Sequence, residues 1–408
     1  MKEKIMDYNL TAEQIEKKKE YEAFFREEMK KAPPGFGEKS NEGNYDSEEG
    51  WQFTRYMAKR LAEKGWLTMA WPKEYGGQDA SIMDQVVFNN VMTEFGAPGV
   101  DGFGVRMFAP TLMLFANEEQ KRRLLPPIAR AEVVYCQGWS EPDAGSDLAS
   151  LKTAAVKDGD YYVITGQKVW TTGAHRADHM FCLARTDQNS KRSRGLSVFN
   201  IDMRDPGVEV RPIKYLDGSH IYNEVFLNGV RVHESDRIGP EGEGWESTRA
   251  TMNFERSGSG SFLSLKSDVE ELMLYLKNTK RGGKFLSDNP AIKRKIAKIY
   301  AEAEAGLALS YKIAWNQETK GLAIDPHFAS ESKVYGSEVR QRFYNIGIEA
   351  LGLFGQLHTS KWSPLKGKML HGFHHVLVST ISAGTSEIQR NTIAWSGAEL
   401  PRLRNVSY

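Results

Sequence analysis

The sequence predicts an α+β chain: a helical first third, an antiparallel sheet in the middle third, and a helical last third. Three observations carry this. Residues 10–130 are rich in helix formers, and the segments EQIEKKKEYEAFFREEMKK and FTRYMAKRLAEKG mix charge around spaced apolar positions. From about residue 134 the texture changes to short β-branched and aromatic runs. After about residue 245, Ile292, Ile296, Ile299, Ala303 and Leu307 recur at spacings of three and four, as the buried stripe of one long helix requires.

Each third has its own punctuation. The turn-rich APPGFGEKSNEGNYD interrupts the first helical region. In the middle, Asp158-Gly159 and Asn228-Gly229 stand between strand-like runs, where such dipeptides favour hairpins. Helices, then strands, then helices argue against a parallel doubly wound fold. The expected modules are an N-terminal helical domain (1–133), a middle β domain (134–245) and a C-terminal helical domain (246–408), with binding sites where modules meet.

Composition narrows the function. With 408 residues the chain can enclose a large ligand, and its 54 Lys and Arg against 53 Asp and Glu leave a net charge of +1, with no field that would favour nucleic acid. A polyanionic ligand must therefore be held by local contacts. Two cysteines, Cys136 and Cys182, are too few for a disulfide framework and read as buried thiols. The charged start MKEKIMDYNL has no apolar targeting core, and no apolar run approaches a membrane span, so a cytoplasmic protein is expected.

Several chemistries lack support. Neither GxGxxG after a strand nor GxxxxGK[ST] occurs, so a nucleotide cofactor needs another cradle. His371, His374 and His375 form HxxHH, but no carboxylate or cysteine stands at a familiar metal spacing, and the cluster reads as a polar patch near a subunit contact rather than a metal site. No GxSxG elbow or papain-like cysteine signature appears.

The segment from Tyr135 to Arg185 contains GWSEPDAGSD (138–147) followed by GQKVWTT (166–172), and these resemble the linked signatures of the acyl-CoA dehydrogenase family. WPKEYGG (71–77) and GTSEIQR (384–390) extend the resemblance across nearly the whole chain. It implies that family's fold, with a C-terminal four-helix bundle, and bound FAD. A turn of Gly, Ser and Asp suits that role, because it presents backbone N–H groups and short hydroxyls to flavin heteroatoms and phosphates. By resemblance Trp139, Ser140, Gly145, Ser146, Trp170 and Thr172 contact the cofactor, with Trp170 covering a flavin face. Thr385 and Glu387 match further FAD positions, while Ser146, Arg256 and Gly384 match substrate-side positions.

The match also has departures. Residues 349–355 read EALGLFG, with Glu349 where Gln is usual and Leu353 in place of a second glycine after Gly352. In KNTKRGGKFLSDNP (277–290) the usual Arg before a Phe-Gly pair has no counterpart, and Thr279 and Gly282 take those places. In the family these contacts reach FAD across a subunit interface, so Glu349 and Gly352 are expected cofactor residues of the dimer side.

Dehydrogenating a thioester needs a base for the α proton. Most family members carry a Glu directly before the Gly-Thr of the C-terminal motif, but here that position is Ala383. A minority, exemplified by isovaleryl-CoA and long-chain acyl-CoA dehydrogenases, places the Glu early in the last domain, immediately before an Arg. MNFERSGSGSF (252–262) supplies Glu255 and Arg256 there, and helical spacing puts Glu255 near Met252, Ser259 and Phe262, a partly apolar setting that would raise its pKa. The expectation is α,β-dehydrogenation of a branched, aromatic, cyclic or otherwise bulky acyl-CoA with Glu255 as base. Electrons would pass to electron transfer flavoprotein, from a homotetramer or dimer or an assembly with a homologous second chain. The alternatives are a catalytically silent partner subunit and an acyl-CoA oxidase.

Overall fold

The computed structural model describes residues 9–37, 45, 47–190, 192–254, 259–320 and 326–402. The chain forms two compact units: residues 42–80 with 98–255, and residues 1–41 and 81–97 with 256–408. Packing therefore cuts across the linear order of the modules.

The first unit is built on an eight-stranded sheet, in the order β6-β7-β3-β2-β4-β5-β8 with β1 beside β4. The strands are β1 (Tyr135–Gly138), β2 (Ala154–Asp158), β3 (Tyr161–Lys168), β4 (His179–Arg185), β5 (Leu196–Asp202), β6 (Val208–Lys214), β7 (His220–His233) and β8 (Arg237–Ile238). Alternation buries Tyr162, Ile164, Val225, Leu227, Phe199 and Ile201 in one core. This unit also holds helices α2 (Glu48–Glu63), α4 (Ala109–Phe115), α5 (Glu118–Ala129) and α6 (Gly244–Phe254).

Two expectations are corrected here. The sheet is mixed, because β1 pairs parallel to β4. β1 follows α5 rather than a hairpin, and a strand that enters by a crossover is free to pair in parallel. Asp158-Gly159 does close the β2–β3 hairpin, but Asn228-Gly229 lies inside β7. Asn228 faces Thr165 and Val230 faces Ile164, which leaves Gly229, at φ 70°, as the extra residue of a bulge.

Among its described residues the second unit is helical apart from the small β9–β10 hairpin (Lys280–Arg281, Lys284–Phe285). Its helices are α1 (Ala12–Glu28), α3 (Ile82–Glu94), α7 (Ser259–Asn278), α8 (Pro290–Lys320), α9 (Pro326–Leu351), α10 (Lys368–Ser379) and α11 (Ser386–Thr392). Thr11 and Gln14 close a capping box at the start of α1. Helices α7 to α10 share a core of Leu265, Val269, Leu272, Ile299, Val339, Phe343 and Met369. The stripe on α8 begins as expected at Ile292, Ile296, Ile299 and Ala303, then passes to Gly306 and Ser310 instead of Leu307. Gly306 explains the shift: a Cβ there would lie 2.1 Å from the Phe262 ring, which fills that space.

Candidate active site

The first unit concentrates the middle-domain motifs at one end of its sheet. β1 runs into the loop Trp139–Asp147, and the carbonyl of Ser140 accepts from the Val169 N–H at 2.9 Å, tying that loop to the segment carrying Trp170 and Thr172. Behind the loop lies a charge pair. Lys168 is fully buried, and its ammonium donates to the carbonyls of Trp139 (3.1 Å) and Leu183 (2.8 Å) and to Glu141 Oε1 (2.9 Å). Glu141 also accepts the backbone N–H groups of Lys152 (2.6 Å) and Thr153 (2.8 Å). Burial pushes the Glu141 carboxyl upward, but the Lys168 ammonium and the N–H donors outweigh it and hold it below the usual range. Both charges are paired and saturated with hydrogen bonds, as charge burial demands.

Sequence reading missed this pair, although strand periodicity carries a signal for it. Alternation from Tyr162 and Ile164 puts Lys168 on the buried face of β3, where a lysine needs a partner.

The loop presents Gly145, Ser146 and Asp147 exposed, with Ser140 half-buried. Trp170 is 56% exposed at φ 60°, its ring edge-on to Tyr222 with centroids 6.1 Å apart. Thr172 is half-buried. The Trp139 indole N–H and the Thr171 hydroxyl are buried with no hydrogen-bond partner among the described residues. An exposed aromatic plane, orphaned polar atoms, and a loop of hydroxyls and N–H groups together fit a flavin with its polar edge and phosphates.

In the same unit, α6 is pinned by the buried Thr251 hydroxyl, 2.6 Å from Thr111 and 2.7 Å from the Ser247 carbonyl. α6 ends at Phe254, directly before Glu255 in the sequence. Glu255 and Arg256 themselves lie outside the described residues.

The second unit carries the C-terminal motif. Ala383 (φ 51°) and Gly384 (φ 82°) are consecutive left-handed residues leading into Thr385, the N-cap of α11, whose side chain accepts from the Ile388 N–H. Two side chains hold this turn: Lys333 of α9 donates to the Gly384 carbonyl at 2.6 Å, and Gln389 Nε2 donates to the Ala383 carbonyl at 2.9 Å. Burial pushes the Lys333 ammonium below its ordinary pKa. Glu387 is exposed, and its carboxyl is lowered by its own backbone N–H and by the Thr385 hydroxyl.

Glu349 and Gly352 stand elsewhere. Glu349 is sixteen residues beyond Lys333 on α9, about 24 Å along the helix, and its carboxylate pairs with Lys295 of α8 at 2.7 Å. Gly352 (φ 60°) follows α9, and Leu353 beside it is 82% exposed. The unit therefore brings Gly384, Thr385 and Glu387 together and leaves Glu349 and Gly352 apart from them. On α10 the His371 and His375 rings lie 4.2 Å apart, centroid to centroid. No described helix is long and apolar enough to cross a membrane.

Comparison with known proteins agrees with this layout. The family models for the acyl-CoA dehydrogenase N-terminal, middle and C-terminal domains match residues 11–132, 136–230 and 242–397. The chain is 34% identical to "Acyl-CoA dehydrogenase FadE26" of Mycobacterium tuberculosis over 85% of this chain and 88% of that one. Among solved structures, a "Tcur3481-Tcur3483 steroid ACAD" superposes with TM-score 0.87 at 30% identity, covering 97% of this chain and 100% of the other. The "ChsE4-ChsE5 complex" of Mycobacterium tuberculosis does so with TM-score 0.84 at 31% identity, covering 97% and 100%. Three consecutive domain matches and relatives aligned nearly end to end assign the whole chain, and it belongs to the acyl-CoA dehydrogenase family of FAD-dependent oxidoreductases.

Proposed function

We propose that the chain dehydrogenates a bulky acyl-CoA, of the polycyclic or steroid side-chain class, with Glu255 as the base, and passes the electrons to electron transfer flavoprotein. The observation that carries this reading is the exchange at the C-terminal motif. Ala383 offers a methyl where most of the family has its carboxylate, while Glu255 and Arg256 occupy the alternative position. The steroid label on a structural relative at 30% identity supports the substrate class.

In this reading Trp170 and Thr172, with Trp139, Ser140, Gly145 and Ser146, hold the flavin side of the site. Thr385 and Glu387 contribute from the C-terminal loop, Glu349 and Gly352 belong to the dimer side, and Ser146, Gly384 and Arg256 face the thioester. Bound FAD supplies the acceptor for the hydride that leaves the β carbon. Glu255 takes the α proton, so a 2-enoyl-CoA is formed. A carboxylate suits that work because a water-poor site raises its basicity. The Thr111–Thr251 contact fixes the helix that leads to Glu255. The module limits 1–133, 134–245 and 246–408 remain our division of the chain into cofactor- and substrate-binding parts.

Two-chain names among the relatives favour a second reading of the assembly, in which a homologous partner completes the dimer side of the FAD site. The test is to purify the chain alone, assay bound flavin, and follow flavin absorbance anaerobically against straight, branched, aromatic, cyclic and steroid acyl-CoA esters. Bleaching by the bulky class is expected. Bleaching by short straight chains alone would overturn the substrate assignment, and a chain that takes up FAD only beside a homologous partner would establish the two-chain assembly. Rapid reaction of the reduced flavin with oxygen would point to an oxidase instead.

A further inference from the structure

Trp170 holds a backbone conformation that residues other than glycine seldom adopt, so its neighbours must impose it. The Thr171 N–H donates to the Asn223 carbonyl (3.0 Å), the Gly173 N–H donates to the Ile221 carbonyl (2.9 Å), and Val169 is tied to Ser140. The Asn223 side chain completes the clamp. It is fully buried, and its Nδ2 donates to the Thr171 carbonyl at 3.0 Å.

A histidine pair backs this amide. Asn223 Oδ1 lies 2.7 Å from His220 Nε2, and Asn223 Nδ2 lies 3.2 Å from His175 Nδ1. Thr171 O requires the amide nitrogen on its side, so His175 Nδ1 meets a donor and must accept. The His175 proton then sits on Nε2, which donates to the Tyr45 carbonyl at 3.2 Å. The two imidazoles stack with centroids 3.9 Å apart. The titratable groups around His175 are Arg176 on its own turn, itself paired with Glu48 of α2, and His220 of β7.

We propose that Asn223 and His175 are positioning residues that lock Trp170 against the flavin, and that the lock requires neutral His175 with its proton on Nε2. This rests on the reading of Trp170 as a flavin wall. A proton added at Nδ1 would face the Asn223 N–H and break that bond, and a cation there would stack on His220 beside Arg176. Burial, joined by His220 and Arg176 and opposed by the Tyr45 carbonyl, pushes His175 below its ordinary pKa, so the lock holds at neutral pH.

The experiment uses the holoenzyme, with Asn223→Asp as the main variant and Trp170→Leu as reference. The carboxylate that Asn223→Asp introduces cannot donate to the Thr171 carbonyl, and it favours protonated His175. The variant is expected to weaken FAD binding about tenfold at neutral pH and to raise flavin fluorescence toward the Trp170→Leu level. Wild type should make the same change only on acidification below the ordinary histidine range, because the His175 pKa is lowered. Amide exchange at Thr171 in flavin-stripped chain is the second readout, and it should accelerate in Asn223→Asp while the sheet amides of β4 and β5 stay protected.

Unchanged exchange and wild-type FAD affinity in Asn223→Asp, beside a perturbed Trp170→Leu, would overturn the lock and leave the wall reading intact. A Trp170→Leu protein with wild-type flavin spectrum and affinity would sink the wall reading instead. Accelerated Thr171 exchange would still show the clamp.

Discussion

Two candidate-site segments, one in each unit, are held by different physics. The Trp139–Asp147 loop rests on a buried, fully hydrogen-bonded ion pair, Glu141 with Lys168 of β3. The Ala383–Thr385 turn sits near the surface, and two donors, Lys333 and Gln389, keep its left-handed residues in place. A buried pair fails as a unit, because removing one member strands a charge. A turn held by separate hydrogen bonds loses stability by degrees. The two segments should therefore answer mutation differently, the first all at once and the second in steps.

The largest expected effect tests whether the proton transfer belongs to a residue outside both segments, Glu255. Glu255→Gln should keep FAD and lower the rate of anaerobic flavin reduction by about 10²–10⁴-fold. If Glu255→Gln reduces flavin at the wild-type rate, the base lies elsewhere. Restoring the usual family residue in the turn, Ala383→Glu on that background, sharpens the comparison. Recovered activity would show that the turn can still present a carboxylate to the α carbon.

Next in size is the buried pair. Lys168→Met leaves Glu141 ionised inside the protein and should cost about 3–5 kcal/mol in chemical denaturation, with FAD lost in parallel. The double variant Glu141→Gln/Lys168→Met should recover part of this. Because the folded-state pKa of Glu141 is depressed, its contribution is present above the ordinary carboxylate value and is lost as pH falls through the folded value. Acid unfolding of wild type should therefore show a component below about pH 4.5, and the double variant should lack it. Equal acid profiles would mean that the pair does not carry the loop's stability.

The turn should respond more mildly. A Cβ on Gly384 would lie 2.4 Å from Gln389 Nε2, and φ is 82°, so Gly384→Ala should cost about 1–2 kcal/mol. It should also raise KM more than it lowers kcat, because Gln389 must release the Ala383 carbonyl to make room. An unchanged KM with reduced stability alone would remove the turn from the substrate side.

What was legible in the sequence follows the same division. Helical and strand thirds were readable because periods of 3.6 and 2 are set locally, and the run PDAGSD (142–147) marks a loop by its turn-forming residues. Pairing direction was not, since nothing in Tyr135–Gly138 distinguishes a parallel neighbour from an antiparallel one. Asn228-Gly229 carries the same turn chemistry as a hairpin, and only the continuous pairing of β7 with β3 on both sides makes it a bulge. The clamps were hidden for a further reason. Lys168 and Glu141 are 27 positions apart, Asn223 and Thr171 are 52, and Lys333 and Gly384 are 51. Periodicity marks Lys168 as buried, but single side chains meeting across such separations leave no trace of which partner each one meets.

The smallest expected effect concerns Glu349, which a one-chain view and an assembled view treat differently. Within the chain its carboxylate pairs with Lys295, both groups being about half exposed. Such pairs contribute about 0–1 kcal/mol, so Glu349→Ala should leave the thermal midpoint nearly unchanged. Its position is about 24 Å along α9 from the Lys333 that holds the Ala383–Thr385 turn of its own chain. If Glu349 serves the FAD of a neighbouring subunit, Glu349→Ala should weaken FAD binding at concentrations where subunits associate and leave it unchanged in dilute, dissociated protein. A concentration series of flavin retention, read beside sedimentation, separates the cases. Loss that tracks assembly places Glu349 on the dimer side, and no loss at any concentration reduces it to a surface ion pair.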